Sequence, residues 1–211
     1  MACKRAGTKR LVLASSTAIY GDSPIEKDSL KPKKEHLAPN PLSPYALSKL
    51  VGEYYCRLFS KVYNLPAVAL RYFNVFGPRQ DPNSEYAAVI PKFIECLLQE
   101  SPPVIYGDGK QSRDFIFVDD VVQANLKACG QAGIEGEVIN VASGRSFTLL
   151  QLLAHLKKIL HSSQSPVFAP ARAGDIRYSK ADIQKARKLL GFQPEVGLRQ
   201  GLTATVDFMK R

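Results

Sequence analysis

Short apolar runs that alternate with amphipathic helical patterns constrain the fold of this 211-residue chain more than any other feature. Residues 10–15, 66–73 and 137–141 form near-continuous apolar runs, which suit strands buried on both faces of a parallel sheet. Between and after these runs, apolar residues recur at helical spacing. Strands that alternate with helices favour an α/β fold, in which helices flank a parallel sheet.

The longest helical pattern follows Ser43. Ser43 can cap a helix, and Pro44 suits the first turn because a missing backbone N–H costs nothing there. Apolar side chains then recur at helical spacing to about Tyr63. Tyr45 and Lys49 are therefore predicted to lie four residues apart on one helix face, close enough to interact.

A tyrosine beside a lysine can serve as a base. A phenol in water titrates near pH 10, but an adjacent ammonium favours the phenolate, and a bound cationic cofactor favours it further. Lowering the pKa of a phenol to near 7 takes about 4 kcal/mol of differential stabilisation. This implies a second positive charge besides one lysine. Most tyrosine–lysine pairs at this spacing simply lie on the exposed surface of a helix, and that interpretation stays open here. Tyr106 and Lys110 have the same spacing but bracket a Gly-Asp-Gly turn, so they cannot share a helix face.

Composition and charge narrow the function classes. No apolar run approaches 18 residues and the start lacks the apolar core of a signal peptide, so we expect a cytoplasmic protein with no membrane partner. The four cysteines lie far apart, without the paired spacing of a zinc site or disulfide framework. The formal charge of +10 could attract nucleic acid or a nucleotide diphosphate, or be a solvated surface. No nucleic-acid-binding motif accompanies it, so we expect no nucleic-acid partner.

Local patterns predict how other elements begin and end. The first apolar run ends in Ser16 and Thr17, and ligands bind at the carboxyl ends of strands in open parallel sheets. Thr148 and Gln151 predict a capping box for a helix that follows. Asp119 is placed to cap another helix, which is expected to end near residue 129.

Five motifs occur in an order that resembles one family. They are ASSTAIYGD at 14–22, SPYALSK at 43–49, RYFNVFGP at 71–78, RDF at 113–115 and RAGD at 172–175. Each motif is weak alone, but together they resemble the extended short-chain dehydrogenase/reductase family, and within it the NAD-dependent epimerases and dehydratases of sugar nucleotides. Epimerases that act on UDP-N-acetylhexosamines are the most similar.

The resemblance implies a reaction and its catalytic residues. Tyr45 would be the base, and Lys49 would bind the nicotinamide ribose and favour the phenolate. Ser16, four residues before Tyr20, matches the hydroxyl that hydrogen-bonds the reacting sugar oxygen, and Thr17 could assist. Bound NAD would supply the second positive charge. The implied reaction moves a hydride from C4 of a UDP-sugar to NAD, rotates the 4-keto sugar and returns the hydride to its other face.

The resemblance also implies binding residues. They are Tyr72 for the cofactor, and Asn74, Val89, Tyr106, Arg113, Arg172, Asp175 and Ser179 for the UDP-sugar substrate. The asparagine and the two arginines match positions that hold the diphosphate, whose geometry suits guanidinium forks. Tyr106 aligns beside the uracil and Asp175 with the nucleotide ribose. Ser179 aligns with a gate residue of the sugar pocket, where a small side chain leaves room for an N-acetyl group. No metal ligand is implied.

Two alternatives from the same family stay open. Its 4,6-dehydratases carry an Asp-Glu pair just after the hydroxyl position, where this chain has Thr17 and Ala18, so a dehydratase is the weaker alternative. A non-catalytic nucleotide-sugar-binding or interaction module is the other.

The family begins with a strand, a GxxGxxG turn and a helix that together receive the pyrophosphate of NAD, and this sequence contains no such fingerprint. We therefore expect residues 1–80 to be the C-terminal part of a Rossmann domain. Residues 81–211 would form mostly a small α/β substrate lobe, with a return to the first domain at about 114–145. A chain truncated in this way would leave a sheet edge unpaired and show little activity alone. Whether truncation, a split gene or a misplaced start codon is the cause stays open. Since the family often dimerises through the Tyr45 helix, a homodimer is also expected.

Overall fold

The computed structural model describes residues 1–21, 31–82, 89–172 and 176–211. Its helices are α1 (Ala2–Arg5), α2 (Pro44–Tyr63), α3 (Val89–Leu98), α4 (Val118–Gly130), α5 (Leu149–Leu160), α6 (Gln184–Leu190) and α7 (Leu198–Met209). Its strands are β1 (Leu11–Ser16), β2 (Ala67–Tyr72), β3 (Asn74–Phe76), β4 (Val104–Tyr106), β5 (Ser112–Arg113), β6 (Phe115–Phe117), β7 (Val138–Val141), β8 (Phe147–Thr148) and β9 (Val167–Ala169). A 3-10 turn, Thr17–Tyr20, follows β1. None of the described helices has the length and apolar character needed to cross a membrane.

A parallel sheet in the order β1-β2-β7 confirms the predicted α/β fold. β7 is buried throughout, and β2 is buried except at its last residue, as near-continuous apolar strands require. Helices cover both faces. On one face Leu13 meets α2, and on the other Val12 packs into the core that contains Val121 and Ala124 of α4.

β1 is the least covered strand of this sheet. Its first three residues are partly exposed and Ala14 is exposed, whereas the neighbouring β2 is almost wholly buried. Within the described ranges, only β2 pairs with β1, so the other edge of β1 has no partner strand.

A second apolar core lies under α3, α5 and α7. It joins Ile90, Ile94, Leu152 and Leu202 to Phe117 of β6. Short strand pairs surround this core: β3 with β6 and β4 with β9 run parallel, and β5 with β8 runs antiparallel. The division of the chain at residue 80 into two domains stays a prediction.

Helix capping follows the sequence in two places and departs from it in a third. The Ser43 side chain accepts a hydrogen bond from the Ala46 N–H, and Thr148 and Gln151 form the predicted capping box. The prediction for Asp119 is wrong. β6 runs directly into α4, so Phe117 occupies the cap position without a side-chain bond, and Asp119 lies in the first turn.

Two glycines are required by close approaches near β1. Gly21 has a positive φ of 55°, and a Cβ there would lie 1.9 Å from the carbonyl oxygen of Asn40. Gly52 lies where α2 crosses β1, and its missing side chain leaves room for Leu13. The turn after β1 and the position of α2 therefore both depend on absent side chains.

Candidate functional site

The Tyr45 and Lys49 side chains converge, as predicted from their helical spacing. The Lys49 Nζ atom lies 5.4 Å from the centroid of the Tyr45 ring. The same Nζ donates a hydrogen bond of 3.0 Å to the carbonyl oxygen of Ala14 in β1. Tyr45 keeps 48% of its surface exposed. The pair therefore combines a half-exposed tyrosine with a cation fixed beside its ring.

Ser16 and Thr17 lie at the carboxyl end of β1, near the strand residue that holds Lys49. The Ser16 hydroxyl accepts a hydrogen bond of 3.1 Å from the Ala18 N–H and so begins the 3-10 turn. Thr17 is the first residue of that turn, which contacts α2. The four predicted catalytic residues thus occupy three neighbouring elements: the end of β1, the 3-10 turn that follows it and the first turns of α2.

A buried ion pair behind these residues fixes α2 to the sheet. The Glu53 carboxylate accepts bonds of 2.8 and 2.7 Å from Nε and Nη2 of Arg71, and one of 2.6 Å from the Ser15 hydroxyl. Glu53 is one helical turn beyond Lys49, and Ser15 adjoins Ser16. The sequence analysis missed Glu53. The available signal was one acidic residue on the buried face of α2 and one arginine in an apolar strand.

Tyr20 is a second tyrosine near the catalytic candidates, but it is fully buried. Its hydroxyl donates a hydrogen bond of 2.7 Å to Oδ1 of Asn140. Burial raises the pKa of Tyr20 to about 12, although the Arg71 guanidinium beside its ring opposes the shift. Tyr20 therefore stays protonated and is inaccessible to a ligand.

Several of the predicted substrate-binding residues lie around β4, β5 and the chain after residue 176. The Arg172 guanidinium lies 3.8 Å from the centroid of the Tyr106 ring. Nη1 of Arg113 donates bonds of 2.9 and 2.5 Å to the carbonyl oxygens of Ser112 and Ile176. The N–H of the buried Ser179 donates to the Ser112 oxygen at 3.1 Å. Two cations and an exposed aromatic ring in one region suit a nucleotide base and its phosphates.

Asn74 is held at the junction of β3 and β6. Its backbone N–H and Nδ2 both donate to the carbonyl oxygen of Asp114, at 3.1 and 3.3 Å. The buried Asp114 carboxylate accepts bonds from Ser143, Gly144 and Ala181. Burial raises the pKa of Asp114 to about 6, against the effect of these bonds. Asp114 therefore ties the Asn74 region to the segment that contains Ser179.

The remaining predicted residues are Tyr72 beside Ser16, Val89 at the second core and Asp175 outside the described residues. Tyr72 is in register with Ser16, and its hydroxyl donates a bond of 2.8 Å to Oδ1 of Asn125. Val89 begins α3 and packs against the second core. Asp175 lies outside the described residues. Their roles in binding stay predictions.

Comparison with known proteins decides the family. A family model described as the NAD-dependent epimerase/dehydratase family matches residues 1–142, which is more than half of the chain. The chain belongs to this family. It is 39% identical over 210 residues to the UDP-glucose 4-epimerase of Mycolicibacterium smegmatis, an alignment that covers 99% of the chain and 65% of that protein.

Solved structures of family members agree with this assignment. The chain is similar to the UDP-N-acetylglucosamine 4-epimerase of Methanobrevibacter ruminantium in complex with UDP-N-acetylmuramic acid, with 43% identity, a TM-score of 0.92, and coverage of 99% of the chain and 65% of that structure. The chain is also similar to the UDP-glucuronic acid 4-epimerase of Bacillus cereus, which was solved with UDP-glucuronic acid and NAD. This match has 36% identity and a TM-score of 0.89, and it covers 99% of this chain and 64% of that structure. This member of the epimerase/dehydratase family thus spans less than two thirds of the length of these relatives.

Proposed function

We propose that this chain contains the substrate site and the catalytic side chains of an NAD-dependent UDP-sugar 4-epimerase. The observation that supports this most is the half-exposed Tyr45, with the Lys49 ammonium held beside its ring near the carboxyl end of β1. Relatives named as UDP-sugar 4-epimerases align along nearly the whole chain. The product would be the C4 epimer, reached through a 4-keto sugar.

Each catalytic residue has a defined task in this proposal. Tyr45 takes the proton from the 4-hydroxyl of the sugar and later returns it. Lys49 supplies a positive charge beside the ring, where the Ala14 carbonyl holds its ammonium. Ser16 orients the sugar oxygen by hydrogen bonding, with Thr17 beside it. NAD, when bound, supplies the hydride acceptor at C4.

The residues present fit one end of NAD and lack the cradle for its other end. Lys49 places an ammonium near the carboxyl end of β1, where a nicotinamide ribose would bind. The sequence has no glycine-rich turn of the GxxGxxG type for the pyrophosphate. We therefore propose that the isolated chain binds NAD weakly and turns over little substrate.

We propose UDP-GlcNAc and UDP-GalNAc as the substrate pair. Ser179 is small and buried at the proposed sugar gate, which leaves room for an N-acetyl group. A relative that is 43% identical is named as a UDP-N-acetylglucosamine 4-epimerase. Tyr106 would bind the uracil, while Asn74, Arg113 and Arg172 would hold the diphosphate. Asp175 and Val89 keep the substrate roles predicted from the sequence.

The proposal includes a homodimer through α2 and a cytoplasmic location. α2 exposes an apolar stripe, termed here the α2 stripe, made of Leu47, Val51, Tyr54, Tyr55, Leu58 and Val62. Such a stripe suits helix packing against a second copy. The four cysteines are free thiols, in keeping with a reducing compartment.

Two other functions are less well supported. A sugar-nucleotide 4,6-dehydratase would need an acid pair after Ser16, and Thr17 and Ala18 occupy those positions. A non-catalytic UDP-sugar-binding module would keep the Tyr106 region and bind no NAD.

Calorimetric titration with UDP-GlcNAc and with NAD tests the proposal. We expect UDP-GlcNAc to bind, and Arg172→Ala to weaken that binding about tenfold, because the guanidinium beside Tyr106 is lost. NAD is expected to bind weakly but measurably. Failure of UDP-GlcNAc to bind would contradict the proposal, and UDP-GlcNAc binding with no NAD binding would favour the non-catalytic module.

A pair of matched variants tests the base. Tyr45→Phe should abolish any conversion of UDP-GlcNAc to UDP-GalNAc. Tyr54→Phe is the control, since Tyr54 lies on the same helix and is 50% exposed against 48% for Tyr45. Conversion that survives in Tyr45→Phe would disprove the assignment.

A further inference from the structure

The side chain of Asn140 joins three separate segments of the chain. Asn140 lies near the carboxyl end of β7 and is fully buried. Its Nδ2 donates hydrogen bonds of 2.9 and 3.2 Å to the carbonyl oxygens of Lys33 and Asp182. Its Oδ1 accepts the bond of 2.7 Å from the Tyr20 hydroxyl. The two carbonyl oxygens can only accept, so the amide NH₂ must face them and Oδ1 must face Tyr20.

This amide is fully matched, although an apolar side chain would suit its position in a buried strand. The neighbouring Ile139 and Val141 are buried apolar residues, as expected for β7. Both amide hydrogens and the oxygen of Asn140 have partners, so any other arrangement of the three segments would leave a buried polar group unpaired. The side chain therefore fixes the segments relative to one another, besides filling space in the core.

One of the three segments is the turn that follows β1. Tyr20 is the last residue of this 3-10 turn, and the Ser16 hydroxyl begins it. Holding Tyr20 therefore fixes one end of a short turn whose other end carries Ser16. The Lys33 Nζ donates a bond of 3.0 Å to the oxygen of Gly21, directly after the turn, and provides a second attachment.

The other two segments meet at residues 176–182, which we call the Ser179 segment. The N–H and the oxygen of Lys33 both bond to the backbone of this segment, at 2.8 and 3.0 Å, and the second bond is donated by Asp182. From β5, the N–H and the oxygen of Ser112 bond to the same segment at 3.0 and 3.1 Å. The Ser179 segment is thus held between β5 and the Lys33 backbone, and Asn140 bonds to the Lys33 side of it.

Resting on the proposed function, we propose that Asn140 is a positioning residue for the sugar of the UDP-sugar substrate. Through Tyr20 it sets where the Ser16 hydroxyl lies. Through Asp182 it sets where Ser179 lies, so that both side chains face the same sugar ring. The nucleotide binds instead around β4. Loss of the connection should therefore weaken the hold on the sugar and spare the hold on UDP.

Calorimetric titration with UDP and with UDP-GlcNAc tests this role. Tyr20→Phe removes the hydroxyl that bonds to Asn140 and keeps the ring. We expect UDP-GlcNAc to bind about fivefold more weakly to this variant, which corresponds to the loss of one net hydrogen bond. Binding of UDP should not change. Asn140→Ala removes all three bonds and should weaken UDP-GlcNAc binding further, again without affecting UDP.

Asn125→Ala is the matched control. The Oδ1 of Asn125 also accepts a bond from a tyrosine hydroxyl, that of Tyr72, at 2.8 Å. Its Nδ2 donates at 2.7 Å to the oxygen of Val121 within α4, so these bonds do not connect the turn with the Ser179 segment. The control should leave the affinities for UDP and UDP-GlcNAc unchanged.

Hydrogen exchange measured by mass spectrometry tests the connection without any ligand. Tyr20→Phe changes the turn alone, but it should also speed exchange about fivefold in the peptides that contain Lys33 and Asp182, since the bond between the segments is lost. Asn125→Ala should leave exchange in these peptides unchanged. Faster exchange confined to the turn would overturn the connection.

The outcomes separate this inference from the proposed function. Failure of the unmodified chain to bind UDP-GlcNAc would contradict the proposed function and the sugar role together. Normal binding by the unmodified chain, with UDP and UDP-GlcNAc weakened equally in Tyr20→Phe, would overturn the sugar role alone, as would unchanged UDP-GlcNAc binding. Circular dichroism melting shows whether Asn140→Ala folds, and Tyr20→Phe serves as the test if it does not.

Discussion

Two arginine–carboxylate pairs in this protein share nearly the same geometry in opposite surroundings. Arg71 and Glu53 are joined by bonds of 2.8 and 2.7 Å, and their side chains are 4% and 3% exposed. Arg177 and Asp108 are joined by two bonds of 2.7 Å, but their side chains are 45% and 48% exposed. The first pair lies between α2 and the sheet, and the second lies on the protein surface next to β4.

The difference shows that burial, rather than bond geometry, decides what an ion pair does here. Charges taken out of water must be matched almost completely, and the Ser15 hydroxyl adds a third bond to Glu53. The buried pair therefore determines where α2 and its Tyr45 lie. In the exposed pair, the hydrogen bond from Arg177 holds the pKa of Asp108 below its usual range, but water screens both charges.

The largest effect is expected from Glu53→Ala. This change leaves the buried Arg71 guanidinium without its counter-charge and should lower the free energy of unfolding by about 4 kcal/mol. Thermal melting should show a fall on the order of 10 °C for a chain of this size. A double variant, Glu53→Leu with Arg71→Met, should lose less than Glu53→Ala alone, because no unpaired charge remains. A larger loss in the double variant would mean that the pair itself stabilises the fold.

A smaller effect is expected from the pH dependence of Asp114, a buried carboxyl that is matched by neutral donors. Burial raises its pKa to about 6 in the folded state, whereas an unfolded aspartate titrates near pH 4. Between these values the folded state holds more protons, so stability should fall as the pH rises through that window. The fall should amount to about 3 kcal/mol.

Asp114→Asn isolates this contribution. The variant should lack the fall between about pH 4 and pH 6, which the difference between two urea-unfolding series would reveal. At neutral pH it should also be the less stable protein, because an amide NH₂ would face backbone donors such as the Ala181 N–H. Identical pH profiles for the two proteins would refute the assigned titration.

The smallest effect is expected from Arg177→Ala. Solvent already screens this pair, so the melting temperature should change by less than the scatter between repeat measurements. Any difference that does appear should vanish in about 1 M salt, where exposed charges interact over only a few ångströms. A loss as large as that of Glu53→Ala would show that geometry outweighs burial after all.

Local structure could be predicted from the sequence because its causes are local. Ser43 and Pro44 specify the start of α2, and the four-residue spacing places Tyr45 and Lys49 side by side. The capping error at Asp119 arose because β6 leads into α4 without a loop, which is a property of the sheet rather than of neighbouring residues.

Long-range bonds could not be read in the same way. Glu53 meets Arg71 18 positions away, and Tyr20 meets Asn140 120 positions away, so only the assembled sheet brings them together. The bond from Arg113 to the Ile176 oxygen spans 63 positions and likewise depends on how the chain folds back. Tertiary packing, rather than any local motif, determines these partners.

The contact at Gly52 affects whether the Lys49 ammonium can reach β1. A methyl group there would lie 2.9 Å from a methyl carbon of Leu13, so any larger residue would push the helix outward unless Leu13 moved. Lys49, three residues earlier, spans the gap between helix and strand to touch the Ala14 oxygen with a side chain of fixed length. The distance between α2 and the sheet therefore decides whether the Lys49 ammonium reaches β1. That distance can be short because the side chain of Gly52 is a single hydrogen atom.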